Sequence, residues 1–552
     1  MTSPPTFFER LQSRDASLWA TEPAIQEKIS QRLGWVSLHE SMRASLDELR
    51  AFADWVRELG FHDAVVLGMG GSSLAPEVFQ RTLGAAPGFP ALQVLDTTDP
   101  LTIVSVENSI DILSTLFIVS SKSGTTVETT SLERYFAERT LDATGDTGTF
   151  DNFIAVTDPD TPLHHRARES GFHRVFVNPP DIGGRFSALS FFGLVPAAAI
   201  GVDIERLLAS AATVDGADAA ALGERLAALA REGRDKLTFL SAPGLESFGA
   251  WAEQLIAEST GKGGQGIVPI DGEPPGDPQS YGNDRVFVSM QLKERDEETA
   301  AAIDQIEAVG HPVVRIEVAG QYGIGAEFLR WEIATAAAGA ALGLNPFDEP
   351  NVAESKDNTR GVIEQYEATG MLPDPVPVVE EDGLTLAADD STLARLENAP
   401  ERTIGALVAE HFLRAPEGSY LAIMAYIPQT EEHERLLTRL RAALRDGTRR
   451  ATTAGYGPRF LHSTGQLHKG GPATGVFLQL VMNDEIDLDV PGEQSFTFSV
   501  LKRAQALGDL AALLGRRLPV LRVSLGDEPT SNLLLLVDSV EAALRETAGG
   551  KR

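Results

Sequence analysis

A chain of 552 residues with 43% hydrophobic and 23% charged side chains has the composition of a folded soluble protein and the length for two or three units of about 150 to 200 residues. Its formal charge of −32 repels polyanions, so nucleic acid is a poor partner and any small anionic ligand must be gripped by local donors rather than by the overall field. The sequence has no cysteine, which excludes disulfides, thiolate nucleophiles and sulfur-ligated metals together and is compatible with a cytoplasmic protein.

Glu9, Arg10 and Arg14 interrupt the apolar residues of the first twenty, so no secretory signal is expected. Residues 1–60 read as a helical segment, with an apolar stripe in SLDELRAFADWVRELG and Gly60 placed as its stop. From 61 to 204 the pattern changes. AVVLGMGGSS, LQVLDTT, TLFIVSSKSGTT and NFIAVTD are short apolar runs ending in small or polar residues, each followed by a stretch able to form a helix. That alternation predicts an α/β fold with a doubly wound parallel sheet, whose ligands gather at the carboxyl ends of the strands. His164 and His165 are expected at the start of an exposed helix, with no carboxylate at a metal-ligand spacing. A second α/β unit, 205–372, carries KLTFLSAPG, RVFVSMQL, PVVRIEV and a helix in EFLRWEIATAAAGAALGLNPF. The most apolar stretches, Phe191–Val202 and Ile333–Leu344, fall short of the ~18 to 20 residues that span a bilayer and are expected as buried helices, with no membrane association. The Pro-, Asp- and Glu-rich stretch 373–399 reads as an acidic linker. Residues 400–552 echo the second unit: SYLAIMAYIP matches KLTFLSAPG, HSTGQLHKGG matches ESTGKGGQG, GVFLQLV matches RVFVSMQL and PVLRVSL matches PVVRIEV. This predicts a duplicated C-terminal α/β half-domain.

Two strand-to-helix junctions carry the clearest binding signal. In Ser120–Thr126, SSKSGTT, small hydroxyl residues at a helix start bring O–H and backbone N–H groups to one point, where a phosphate also meets the positive end of the helix. Ser121, Lys122, Ser123, Thr125 and Thr126 are the candidate phosphate ligands. A plain helix cap would need one such hydroxyl rather than four in six residues. The second junction, GMGGSSLAP, has Gly71 and Ser72 where a backbone can approach a ligand closely, without the spacing of a dinucleotide or Walker loop.

Taken together, GMGGSSL, SKSGTTVE, GGRFSALS at Gly183–Ser190, ESTGKGGQG at Glu258–Gly266, NPFDEPNVAESK at Asn345–Lys356 and LHSTGQ at Leu461–Gln466 resemble the motif set of bacterial phosphoglucose isomerases. By length and by HSTGQLHKGGP, the chain is most similar to the isomerase portion of fused transaldolase–phosphoglucose isomerase proteins, although no transaldolase barrel is evident. There are two departures from the family pattern. His462 follows Lys356 by about a hundred residues where conventional members have the histidine segment first, and DEPNVAESK replaces DQPGVExxK.

The resemblance implies parallel sheets of the sugar-isomerase (SIS) type and reversible conversion of glucose 6-phosphate to fructose 6-phosphate through an enediol(ate), in glycolysis and gluconeogenesis. It needs no metal or organic cofactor. It implies Glu258 as the proton-transferring base and His462 with Lys356 as the ring-opening groups, His468 being a rival for the histidine's part. Arg185 is the implied electrostatic stabiliser, with a structural salt bridge as its competing reading. The alternatives are a non-catalytic sugar-phosphate regulator, which would retain the cradle without Glu258 and Arg185, and a dual phosphoglucose/phosphomannose isomerase. Whether the chain forms a homo-oligomer is left open by its sequence.

Overall fold

Strands of the first unit are continuous runs of Val, Ile, Leu and Phe, the pattern of a sheet covered on both faces. In the computed structural model, which describes residues 4–145, 150–293 and 296–549, they are β1 (Asp63–Gly68), β2 (Ala91–Leu95), β3 (Thr115–Ser120), β4 (Phe153–Thr157) and β5 (Arg174–Val177). Residues 1–3 and 550–552, the outer ends of the first and last expected segments, lie outside the described residues. All pairings in this sheet are parallel and the order is β2-β1-β3-β4-β5. The chain moves one way from β1 to β2 and then back across β1 to β3, so the crevice of this topology opens at the carboxyl ends of β1 and β3. Those ends are in register, Leu67 beside Val119 and Gly68 beside Ser120, and they lead into the two junctions singled out in the sequence.

The helix Leu46–Leu59 buries Leu46, Leu49, Phe52 and Val56 and stops at Gly60, whose φ is +67°. All nine residues of the helix Phe191–Ala199 are buried, as is most of the helix Ile324–Leu342. No helix among the described residues is long and apolar enough to cross a membrane.

A second parallel sheet contains β6 (Lys236–Ser241), β7 (Val268–Ile270), β8 (Arg285–Leu292) and β9 (Val313–Val318) in the order β7-β6-β8-β9. The third contains β10 (Val379–Glu381), β11 (Leu384–Ala387), β12 (Tyr420–Tyr426), β13 (Ala451–Tyr456), β14 (Gly475–Val481) and β15 (Val520–Ser524), ordered β10-β11-β15-β14-β12-β13. Its run β13-β12-β14-β15 repeats the order of the second sheet, and three of the four sequence echoes fall on equivalent strands: β12 with β6, β14 with β8 and β15 with β9. The fourth does not. Glu258–Gly266 begins inside the helix Ser247–Thr260 that precedes β7, whereas His462–Gly471 follows β13. Their likeness is a recurrence of small polar residues at two different places in the topology.

The expected linker is also corrected. Within 373–399 lie β10, β11 and the helix Asp390–Leu396, and β11 pairs antiparallel with β15. Leu384 and Leu386 alternate inward and are buried with Leu396, a period-two signal hidden among acidic neighbours. The second and third sheets are tied by a buried pair: Arg285 Nη2 donates to both oxygens of Glu273 at 2.9 and 2.8 Å. Glu273 Oε1 also accepts from Thr452 N and Oγ1 at 2.8 Å each. This fixes β13, the strand that leads to His462.

Candidate active site

At the carboxyl ends of β1 and β3 lies a cavity of about 500 Å³. Its walls include Gly71, Ser72, Ser121, Lys122, Ser123 and Thr126, six of the seven candidate ligand residues, and His462. The turn after β3 is shaped by its own hydroxyls. Ser121 Oγ accepts the Gly124 N–H at 3.1 Å and donates to Thr126 Oγ1 at 3.2 Å. Gly124 has φ +66°, and a Cβ there would meet Leu163 N at 2.7 Å. Thr126 occupies the N-cap of the helix Val127–Thr144 without making a side-chain cap bond, so the cluster is not spent on capping. Lys122 pairs with Asp158 and also reaches the Pro180 carbonyl at 3.4 Å. Thr125 is off the cavity wall, turned to Ser123 Oγ at 3.0 Å. Gly71 lets two turns touch, since a Cβ would lie 2.0 Å from the Gly184 carbonyl oxygen.

That second turn, Gly184–Phe186, carries Arg185 into the interior, 4% exposed. The guanidinium has five acceptors: Ser259 Oγ at 2.9 Å, Glu258 Oε2 at 3.0 Å, Glu349 Oε2 at 3.1 Å, and the carbonyls of Pro346 at 2.7 Å and Asp348 at 3.0 Å. Arg185 and Glu258 are not on the cavity wall, but Glu349 is. The structural salt-bridge reading of Arg185 is met by these bonds, and the same nitrogen binds both Glu258 and Glu349. Burial pushes the Glu258 carboxyl above its ordinary value, and the Glu349 charge adds to this against the opposing pull of Arg185. Burial also presses Glu349 upward, but Arg185, Arg32 and Lys262 outweigh it and leave its carboxyl below the usual value. Lys262 staples the loop that bears Glu349, donating to Asn345 O and Asp348 Oδ1 at 2.8 Å each.

His462 arrives from beyond β13, so its late place in the chain does not keep it from the cavity. Its Nε2 lies 2.9 Å from Glu128 Oε1, which also accepts from Gln505 Nε2 at 2.7 Å. Burial presses Glu128 upward, but the His462 charge and hydrogen bond, a backbone hydrogen bond and the Lys356 charge together hold it below its usual value. Lys356 itself is exposed on the helix Pro350–Thr369 and meets the site through this field. Gln254 Nε2 joins the two groups of residues, donating to the His462 carbonyl at 2.7 Å and reaching Glu258 Oε1 at 3.4 Å. His468 is elsewhere: buried, 3.0 Å from Tyr420 Oη, and pushed down to about 3 by its burial. His164, expected on an exposed helix, is buried where its Nδ1 accepts the Asp160 N–H.

Sequence reasoning missed Glu128, Gln254, Glu349, Lys262, Gln505 and Arg32. Glu128 was legible as the lone carboxylate directly after the hydroxyl cluster, and Gln254 as the residue one helical turn before Glu258. Gln505 carries no local signal. Among the described residues no cluster of ligating side chains could hold a metal ion.

Comparison with known proteins gives this geometry a lineage. The phosphoglucose isomerase family model matches residues 35–229. A glucose-6-phosphate isomerase of Rubrobacter xylanophilus is 30% identical over 371 residues, 57% of this chain and 85% of that protein. A probable glucose-6-phosphate isomerase of Natronomonas pharaonis is 32% identical over 349 residues, 55% of this chain and 80% of that one. Among solved structures, a hypothetical protein of Thermus thermophilus superposes with a TM-score of 0.55 at 25% identity, covering 64% of this chain and 94% of its own. A glucose-6-phosphate isomerase of Chlamydia trachomatis gives 0.50 at 21% identity, over 67% and 80%, and shares the fold. With four fifths or more of both enzymes' lengths matched at 30% identity or above, the chain belongs to the phosphoglucose isomerase family.

Proposed function

We infer that the chain interconverts glucose 6-phosphate and fructose 6-phosphate. The observation that carries this reading is a hydroxyl cradle and a carboxylate-bound imidazole on the wall of one strand-order crevice, with a buried Glu258–Arg185 pair joined to that wall through Glu349 and Gln254. The phosphate rests in the turn Ser121–Thr126 at the helix start. His462, oriented by Glu128, exchanges the ring proton with help from the Lys356 charge and opens the sugar. Glu258 then carries a proton between C2 and C1, and its raised affinity for protons brings it closer to the neutral range where a base and its conjugate acid both serve. Arg185, bonded directly to Glu258, supplies fixed positive charge beside the group that handles the enediolate proton. A non-catalytic sensor has no need of the buried carboxylate–guanidinium pair. We also propose the division 1–60, 61–204, 205–372 and 400–552, with 373–399 joined to the last through β10 and β11, the first two strand-bearing units supplying the cradle and the base, and the last supplying His462. A coupled assay with glucose, mannose and glucosamine 6-phosphates tests the activity; turnover of the glucose ester alone supports it, and none of that ester overturns it.

The phosphate grip is made in ground and transition states alike. Ser123→Ala and Thr126→Ala are therefore expected to raise KM about tenfold while kcat stays within about twofold. Steady-state kinetics decide, and a collapse of kcat at unchanged KM removes these hydroxyls from the cradle. Glu349→Gln deletes a negative charge that helps hold the proton on Glu258. Glu258 then stays ionised to lower pH, so the acid limb of the kcat/KM profile moves down the pH scale. A limb that stays in place or moves up separates Glu349 from the base.

A further inference from the structure

The charges on the cavity wall are nearly all committed. Lys122 faces Asp158, Glu349 is bound by Arg185, and His462 is bound by Glu128. Arg32 is the exception. Arg32 lines the cavity and is half-buried, yet among the described residues its guanidinium has no hydrogen bond or ion pair. Its charge is felt at both Asp158 and Glu349, two other residues of the same cavity wall.

The backbone around Arg32 holds it there. The helix Pro23–Ser30 ends just before it, and the Arg32 N–H bonds back to the Ile29 carbonyl at 2.8 Å. Leu33 bridges to Ile182, and the Gly34 N–H donates to the Asp181 carbonyl at 2.8 Å. A Cβ on Gly34 would lie 2.3 Å from the Asp181 carboxylate, so the two strands of chain are in direct contact. Arg14 adds a clasp on Asp181 at 2.9 Å. The clipped segment includes Pro180, which lines the cavity and accepts from Lys122. The backbone at Arg32 is thus fixed on the cavity wall by these contacts.

Electrostatics gives this free cation a use. Lys122 with Asp158 contributes no net charge, and the protein as a whole carries −32. A phosphate monoester is close to doubly charged at neutral pH, and a cradle of hydroxyls and a helix end alone would hold it against that field. An uncommitted guanidinium in reach supplies the missing charge in a planar fork that matches phosphate oxygens. From the free guanidinium of Arg32, a residue that shares the cavity wall with Ser121 and Thr126, we infer that Arg32 ligates the phosphate of the substrate, so that the N-terminal helical segment completes the binding site. This rests on the reading of the cavity as a sugar-phosphate site.

The test uses the full chain and measures affinity separately from turnover. Isothermal titration with inorganic phosphate and with glucose 6-phosphate is run on the wild type, Arg32→Gln and Arg32→Lys, with thermal midpoints taken alongside. Arg32→Gln is expected to weaken both ligands about tenfold or more and to raise KM in proportion, with kcat within about twofold and the midpoint unchanged. Arg32→Lys recovers part of the affinity, because it keeps the charge and loses the fork. Unchanged affinity for inorganic phosphate in Arg32→Gln overturns the assignment, as does a loss of kcat at constant KM. A wild-type chain that binds glucose 6-phosphate without isomerising it sinks the proposed activity, while the titrations still decide the part played by Arg32.

Discussion

Glu258→Gln is expected to abolish isomerisation, by about a thousandfold or more, and to stop exchange of the C2 hydrogen of glucose 6-phosphate with deuterated solvent. The amide preserves the shape, and its carbonyl oxygen can still accept from Arg185 Nη1, which with Gln254 Nε2 holds Glu258 from two sides. What it cannot do is accept the proton from C2. His462→Ala tests the preceding step and should behave differently. It slows turnover of the cyclic sugar but leaves C2 exchange measurable on substrate already in the open form, because imidazole and Glu128 act before proton abstraction. Proton NMR in deuterated water follows both. Exchange at the wild-type rate in Glu258→Gln would remove Glu258 from the mechanism. An inert His462→Ala would pass ring opening to Lys356, since His468 sits against Tyr420 away from the cavity.

The contrast between these residues shows what a sequence exposes. β1, β3 and β4 were plain because strands covered on both faces must be continuously apolar, and the glycines and hydroxyls at their ends have no packing role that explains their number. β5 and β7 were not seen: RVFV is only partly buried, and VPI is three residues long with a proline, as an edge strand allows. In 373–399 the composition of a linker masked the inward Leu384 and Leu386. The cradle and Glu258 could be found because each lies in one short motif. Gln505 could not, since it acts on Glu128 more than a hundred positions away, and Glu349, although inside NPFDEPNVAESK, has its partner Arg185 as far off. Arg32 was hidden for the opposite reason: in sequence it is one more arginine just past a helix, and only the fold brings it to the cavity wall.

Glu332 offers the other large effect, on stability rather than catalysis. It lies in the apolar helix Ile324–Leu342, which packs against the helices Gly216–Arg231, Ile204–Ala211 and Ser247–Thr260. It is wholly buried, and neither carboxyl oxygen has a hydrogen-bond partner among the described residues. The nearby Arg330 is engaged with Glu327. Burial alone raises the Glu332 pKa well above 4.5, with no cation to oppose it. The folded chain therefore keeps this side chain protonated under conditions where the unfolded chain releases the proton. The contribution to stability is whole below the ordinary carboxyl value and declines by about 1.4 kcal/mol for each pH unit above it, until the raised folded value is reached. Glu332→Gln removes the titration and keeps an unpartnered polar group, so its thermal midpoint should match the wild type near pH 5 and exceed it increasingly toward about pH 8. Glu332→Leu also removes the unpartnered polar atoms, worth about 1 to 3 kcal/mol, and should be the more stable of the two throughout. Thermal midpoints of the three chains across that pH range measure both effects. A wild type more stable than Glu332→Gln at about pH 8 would show that the carboxylate is charged and paired in the folded chain, and would overturn the assignment.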